Sequence, residues 1–174
     1  YNITGLLIQN NSISGLRQPC YFNPGTVGDV DNNYVAGSRG WVVISDATNK
    51  TRIDFTGNSW SGNAVDIYLN ADCPFGEPYD PISGLKARNN NANVQDDRSG
   101  PNPYRVTNVT KQKAYTTIAA AVADADPGDV IECAAGDYNE SVTINKALTL
   151  KGANAGIPAA DGSGVAPGGR GAES

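Results

Sequence analysis

The side chains in this sequence that could do chemistry are mainly carboxylates, because its 174 residues include no histidine. That absence excludes a serine–histidine–aspartate triad, a histidine general base and a histidine metal site within this chain. Asp29 and Asp31 flank Val30 on one face of a predicted strand, and carboxylate oxygens are ligands that calcium prefers. We expect either a calcium site at this pair or plain surface exposure. No other cofactor is indicated.

A second acidic group, Asp96-Asp97-Arg98, lies in a polar stretch. It is a further candidate for calcium, although charged residues in such stretches are usually just solvated. Asp54 alternates with the apolar Ile53 and Phe55, so an outward, solvated position is predicted for it.

Three aromatic side chains, Trp41, Trp60 and Tyr68, could line a sugar-binding face. The repeat described below makes Trp60 equivalent to the inward residues Ile13 and Val35, so core packing is predicted for Trp60. The position of Trp41 is less determined.

The three cysteines and the glycosylation sequons bear on the compartment. Cys20 and Cys73 each lie next to a proline in loop-like sequence and could form a disulfide, whereas Cys133 lies in an apolar alternation as a buried thiol. Asn-x-Ser/Thr sequons occur at Asn2, Asn10, Asn49, Asn108 and Asn139. Together these features favour an extracellular or cell-surface location.

The acidic net charge bears on which kinds of partner the protein could bind. The net charge is −5, which leaves no electrostatic footprint for binding nucleic acid or an anionic membrane. No apolar run approaches the roughly 18 residues that a membrane span needs. Neither a nucleic-acid partner nor a membrane span is expected.

A repeat organises the first 75 residues. The pattern Asn-x-apolar-x-Gly occurs at 11–15, 33–37 and 58–62, and an apolar residue stands three positions before each asparagine, at Ile8, Val30 and Phe55. Period-2 alternation broken by an Asn–Gly corner at a nearly constant interval predicts a solenoid of short strands. Stacked corner asparagines can form ladders. The alternative is an antiparallel β-sandwich with Asn-Gly turns.

Composition divides the chain into four segments. We assign β-helix coils to 1–75, a Pro/Asn-rich linker or excursion to 76–104, a strand with a helix and a first coil to 105–152, and a Gly/Ala/Pro-rich tail to 153–174. The helix is predicted near 117–125 with Thr116 as its cap. Its apolar face comprises Ile118, Ala121, Val122 and Ala125. Strands are predicted at 129–133, 141–144 and 147–151.

The stretch 115–152, YTTIAAAVADADPGDVIECAAGDYNESVTINKALTLKG, resembles the opening segment of right-handed parallel β-helix proteins of the pectin-lyase-like superfamily. That superfamily includes pectinesterases and NosD-type proteins. The resemblance implies that a short amphipathic helix caps the first coil and that the Pro-Gly-Asp turn leads into the first strand. The expected fold is all-β, with right-handed parallel β-helix coils and one short capping helix.

The order of these elements suggests a function. Coils precede the capping helix, so either one β-helix ends and another begins, or one subunit completes the next. A β-helix with open ends must be capped or stacked, and head-to-tail stacking propagates into a fibre. We therefore expect a structural protein that self-assembles by end stacking or strand donation, or that adjoins β-helix domains of a longer chain. The candidate donors are Val142, Ile144, Leu148 and Leu150, and the candidate acceptors are Ile3, Leu6, Ile8 and Ile13.

Two alternatives follow from the resemblance. One is a fragment of a carbohydrate-active enzyme of the polysaccharide lyase or esterase class, and the other is a glycan-binding adhesin module, both with polysaccharide as partner. The sequence around Asp54 resembles an esterase Asp-Phe motif, but the second aspartate and the arginine of that pattern are not recognisable. Because the fold hosts many activities, it does not decide among them.

Overall fold

The computed structural model of the chain describes residues 2–156. The chain divides into two compact units, Tyr1–Asn102 and Pro103–Ser174. The tail predicted at 153–174 lies outside the described residues from 157 onward.

Residues 2–102 of unit one form ten short strands and one helix. They are β1 (Ile3–Gln9), β2 (Ser12–Ser14), β3 (Cys20–Phe22), β4 (Thr26–Asp31), β5 (Tyr34–Ala36), β6 (Trp41–Val43), β7 (Arg52–Thr56), β8 (Ser59–Ser61), β9 (Ile67–Leu69), α1 (Ile82–Ala87) and β10 (Val94–Asp96). The first nine strands make three coils of three strands each, and α1 with β10 belongs to a fourth turn.

Equivalent strands of successive coils in unit one pair in parallel. The strands stack in the orders β1-β4-β7, β2-β5-β8 and β3-β6-β9-β10. This is a parallel β-solenoid of about four turns, so the predicted fold class is confirmed. The parallel pairing excludes the antiparallel sandwich.

The repeat determines the register of the coils. Ile8 pairs with Val30, and Val30 pairs with Phe55, as the predicted alignment requires. Val35 likewise pairs with Trp60 in the second sheet. Because side chains alternate between the two faces of a strand, these aligned positions form one continuous core inside the coils.

Unit two is smaller and has its own core. Its elements are β11 (Val106–Asn108), β12 (Lys113–Tyr115), α2 (Ile118–Asp124), β13 (Val130–Cys133) and β14 (Thr149–Lys151). The sheet order is β12-β11-β13-β14, in which β11 is antiparallel to both of its neighbours and β14 is parallel to β13. The parallel β13–β14 pair is three residues long.

Helix α2 forms where the sequence predicts it, with a different cap. Its N-cap is Thr117 and not Thr116, and the Thr117 Oγ1 accepts a hydrogen bond from the backbone nitrogen of Ala120 at 3.1 Å. The Glu140 carboxylate accepts from the first two helical N–H groups, each at 2.8 Å. The predicted apolar face of α2 packs on the core of unit two. Neither α1 nor α2, the two helices within residues 2–156, is long and apolar enough to cross a membrane.

The strand predicted at 141–144 does not form. Glu140, which directly precedes this segment, accepts hydrogen bonds from the first backbone N–H groups of α2. Val142 lies beside Ala119 and Val122 of that helix. A helix has already used its backbone hydrogen-bonding groups internally, so it offers no ladder for a neighbouring strand.

Candidate functional site

The three strands of the first coil, β1, β2 and β3, each lie at an edge of their sheet, and we call them together the rim. The predicted acceptors lie here. Ile3 is 51% exposed, and Leu6, Ile8 and Ile13 are only partly buried. The equivalent Val30 and Val35 of the next coil are completely buried. The rim therefore presents backbone groups and apolar side chains in the positions that a further coil would cover.

A ladder of four asparagines runs through the corners of the solenoid. The Nδ2 of Asn11 donates to the Oδ1 of Asn33 at 3.0 Å, Asn33 donates to Asn58 at 3.0 Å, and Asn58 donates to Asn89 at 2.9 Å. Each Oδ1 also accepts from the backbone nitrogen of the asparagine one coil earlier. The predicted ladder is confirmed. Its fourth member, Asn89, lies outside the repeat pattern.

Residues 76–93 cover the opposite end of unit one, and we call them the cap. Tyr79 and Leu85 are fully buried in the core. The Tyr79 hydroxyl accepts a hydrogen bond from the backbone nitrogen of Ile53 on β7 at 2.9 Å. Sequence reasoning assigned 76–104 to a linker or excursion and did not identify the cap. The signal was a Tyr and a Leu within an otherwise polar, proline-rich stretch.

The cap also satisfies backbone groups along the outer edge of the third coil. The Gly57 nitrogen donates to the carbonyl of Arg88 at 2.8 Å, and the Phe55 carbonyl accepts from Arg88 Nε and Asn89 Nδ2 at 3.1 and 2.6 Å. The indole of Trp60 donates to the carbonyl of Asn89 at 2.8 Å. β10 ends the third sheet as a three-residue strand followed by charged residues, which blunts that edge.

A buried ion network ties the cap to β10. The Arg98 side chain, 1% exposed, pairs with Asp80 at 2.6 Å and with Asp96 at 2.8 Å, and stacks on the Phe75 ring at 4.6 Å. Burial alone would lower the pKa of Arg98, but its hydrogen bonds to the two carboxylates raise it. Within the candidate calcium group Asp96-Asp97-Arg98, Asp96 is thus an ion-pair partner of Arg98.

Among the described residues of unit two, β14 is paired on one side only. Of the predicted donors, Leu148 and Val142 pack partly on the core of this unit, whereas Leu150 and Ile144 are 42% and 47% exposed. Leu150 is in register with the fully buried Ile131 of β13. Leu150 thus lies on the inward face of the last strand, where nothing in the described residues covers it.

The proposed calcium pair lies on the outer face of the first sheet. Asp29 is in register with Leu7 and Asp54, and Asp31 with Gln9 and Thr56. Burial, and then the charges of Asp29 and Asp54, raise the pKa of Asp31. Across residues 2–156 no three acidic, cysteine or histidine side chains converge on a point that could hold a metal ion. Asp54 is exposed, as predicted.

The three aromatic candidates do not share one face. Trp41 is in register with the inward Ile67 and is buried in the core, where it packs against Phe22. Trp60 packs against the same core from the second sheet, as predicted. Tyr68 alternates with Ile67 and therefore faces outward.

All three cysteines carry free thiols, so the candidate Cys20–Cys73 disulfide is not formed. Cys20 lies in the first coil on β3, and Cys73 follows β9 in the third coil. Two coil spacings of about 4.8 Å each exceed the Cα separation of roughly 7 Å that a disulfide tolerates. Burial raises the pKa of all three thiols. Cys133 is a buried member of the core of unit two, as predicted.

The sequon asparagines differ in accessibility. Asn2, Asn10 and Asn139 are exposed, and Asn49 is half-buried against Asp46. Asn108 is completely buried, and its Nδ2 donates to the Asp129 carboxylate at 2.7 Å. Asn108 therefore cannot carry a glycan in this fold.

No significant match to the chain was found among protein-family models, curated proteins or solved structures. The parallel β-solenoid follows from the strand pairing alone.

Proposed function

We propose that this chain is an extracellular or cell-surface structural protein that assembles head-to-tail with further copies of itself. The observation that supports the proposal is a pair of strand edges that no residue between 2 and 156 covers, the rim of unit one and the outer edge of β14 in unit two. Both edges leave inward-facing apolar residues exposed. The resemblance of 115–152 to the opening of a pectin-lyase-like β-helix supports the interpretation of unit two as the start of a second solenoid.

The polarity of the two edges is complementary. In both units, a strand pairs in parallel with the strand one coil later. The free edge of β14 therefore faces where a following coil would lie, and the free edge of β1 faces where a preceding coil would lie. Pairing of β14 from one copy with β1 of the next copy would continue the solenoid in the same direction.

Opposite these two edges lie the cap of unit one and, in unit two, the antiparallel β11–β12 hairpin, in which β12 is the other edge strand. The cap covers the outer edge of β7, and the β11–β12 hairpin pairs with the other side of β13. A joint between the rim and β14 joins different surfaces and is heterologous, so it would propagate into a filament and not close into a dimer.

The mass of the full chain, measured by light scattering over a concentration series with negative-stain imaging, tests the proposal. We expect a mass that rises with concentration and regular filaments. Ile8→Lys should abolish assembly, because it places a charge on the inward face of the rim. Leu7→Lys, one residue away on the outward face, is the matched control and should still assemble. A wild-type chain that stays at 18.1 kDa up to millimolar concentration would overturn the proposal.

A mixing experiment tests the head-to-tail arrangement. Leu150→Lys places the same charge on the inward face of β14, with Thr149→Lys as its outward control. Each blocked variant alone should be monomeric. An equimolar mixture of Ile8→Lys and Leu150→Lys should form a heterodimer, because one copy keeps its rim and the other keeps its β14 edge. Rim-to-rim association would instead make Leu150→Lys alone dimeric. Circular dichroism of each variant establishes that it is folded.

The proposed location has a separate test. Expression in a host that glycosylates secreted proteins should add N-linked glycans at exposed sequons and none at Asn108. Peptide mapping before and after enzymatic deglycosylation measures this. A glycan on Asn108 would contradict the fold described for unit two.

A further inference from the structure

The asparagine ladder has a direction. At every rung the Oδ1 belongs to the later coil, and both donors, the backbone nitrogen and Nδ2, belong to the earlier coil. This holds for Asn11 onto Asn33, Asn33 onto Asn58 and Asn58 onto Asn89, over distances of 2.9 to 3.3 Å. Each ladder Oδ1 thus accepts from two N–H donors of one asparagine in the preceding coil.

The ladder is closed at the cap. The Nδ2 of Asn89 donates to the carbonyls of Phe55 and Leu85 at 2.6 and 3.0 Å, and its backbone nitrogen donates to the carbonyl of Lys86 at 3.1 Å. Asn89 therefore accepts from the third coil, and its Nδ2 donates to one carbonyl of the third coil and one of the cap. Its backbone nitrogen, the atom that bonds the next Oδ1 at every earlier rung, donates within the cap instead. Among residues 2–156 no further rung follows.

The ladder is open at the rim. Asn11 uses its Nδ2 on the Gln9 carbonyl and on Asn33 Oδ1, each at 3.0 Å, and its backbone nitrogen on the same Oδ1. No residue between 2 and 156 donates to the Oδ1 of Asn11. Asn11 is exposed, so this acceptor is available to a coil that docks on the rim.

We infer that Asn11 determines the register and the chemistry of what docks on the rim. The docking segment is the coil of a second copy that carries β14, and it presents a backbone N–H at the corner above Asn11. This inference rests on the proposed head-to-tail assembly. It adds that the joint is selected by a hydrogen bond at one corner, whereas apolar contact at Ile8 and Ile13 supplies the non-directional part of the association.

The test is the assembly of Asn11→Ala compared with Gln9→Ala. Loss of this acceptor should raise the concentration at half-assembly about tenfold. Gln9→Ala removes an exposed amide from the outward face of the same strand and should leave that concentration unchanged. Urea unfolding of each variant, at a dilution where all are monomeric, measures any loss of folding stability separately.

The outcomes separate the two proposals. Wild-type chains that do not assemble overturn both. Wild-type and Asn11→Ala chains that assemble at the same concentration overturn the role of Asn11 and leave head-to-tail assembly standing. A large loss of assembly in Asn11→Ala, in excess of its loss of monomer stability, supports the inference. The Asn11→Leu variant, similar in size and without an acceptor, should behave as Asn11→Ala does.

Discussion

The hydroxyl of Tyr79 lies 2.9 Å from the backbone nitrogen of Ile53 and accepts its hydrogen bond, while donating to the Thr51 carbonyl at 3.2 Å. Ile53 belongs to the last strand of the first sheet, so a side chain from the cap takes the place of a strand from a further coil. Asn11, at the other end of the same solenoid, has no such partner among residues 2–156. Unit one is thus closed at one end and open at the other.

Tyr79→Phe should destabilise unit one by about 2 kcal/mol, because it leaves the buried N–H of Ile53 without an acceptor. Both tryptophans lie in unit one, so urea unfolding followed by tryptophan fluorescence reports on this unit. Tyr34→Phe, which removes an exposed hydroxyl, is the control and should change stability little. Equal stabilities of the two variants would contradict the role of the Tyr79 hydroxyl.

Asn58→Ala should cost about 3 kcal/mol of unfolding free energy. Asn58 is completely buried, accepts from the backbone and side chain of Asn33, and donates to the Val30 carbonyl and to Asn89. The same fluorescence measurement applies. The exposed Gln9→Ala is the control, and an Asn58→Ala variant as stable as that control would mean that the buried ladder contributes nothing.

The protein should lose stability in acid, below about pH 4. Burial raises the pKa of Asp96, but the hydrogen bonds from Arg98 lower it by more, so the net shift is downward from 3.8. A hydrogen bond from Tyr115, and then Lys111 and Lys113, lower the pKa of Asp124. A depressed carboxyl pKa stabilises the fold above the unfolded-state pKa, and that stability is lost as the pH falls through the folded-state value.

Two further features shape this pH profile. Asp31 contributes with the opposite sign, because its raised pKa favours the fold when it is protonated and that contribution is lost as the pH rises. The chain has no histidine, so no imidazole titrates between pH 5 and 8. The urea midpoint, measured from about pH 2 to about pH 8, tests the prediction because this interval spans the titration of the carboxyl groups. Asp96→Asn should flatten the acid limb for unit one, and an unchanged limb would contradict the assignment.

Three thiols should react with a maleimide in denaturant, and mass spectrometry should find no disulfide. In the native chain, Cys20 should react first, because it is half-buried whereas Cys73 and Cys133 are buried. The raised thiol pKa values should keep all three slow at neutral pH. A single reactive thiol after denaturation would show a disulfide and contradict the coil assignment of Cys20 and Cys73.

The repeated corners at Asn11, Asn33 and Asn58 were sufficient to predict the solenoid, its register and its ladder. The reason is local, because each coil buries equivalent positions against the coils beside it, so a pattern along the chain corresponds directly to a stack of coils. The helix α2 was also predicted correctly from its apolar spacing, and only its N-cap differed, by one residue.

The tertiary structure alone decided which ends of the solenoid are closed. The end is closed by single side chains, Tyr79 on Ile53, Arg88 on Phe55 and Arg98 on Asp80, and the partners are 18 to 33 residues apart in the chain. None of these pairs repeats, so no periodicity marks them, and the prolines around them suggest a linker. The strand predicted at 141–144 failed for the related reason that its alternation is correct but its neighbour in space is a helix. The periodic pattern of burial is a property of the sequence. Whether the backbone groups of an edge strand find hydrogen-bond partners depends on which side chain the folded chain places beside them.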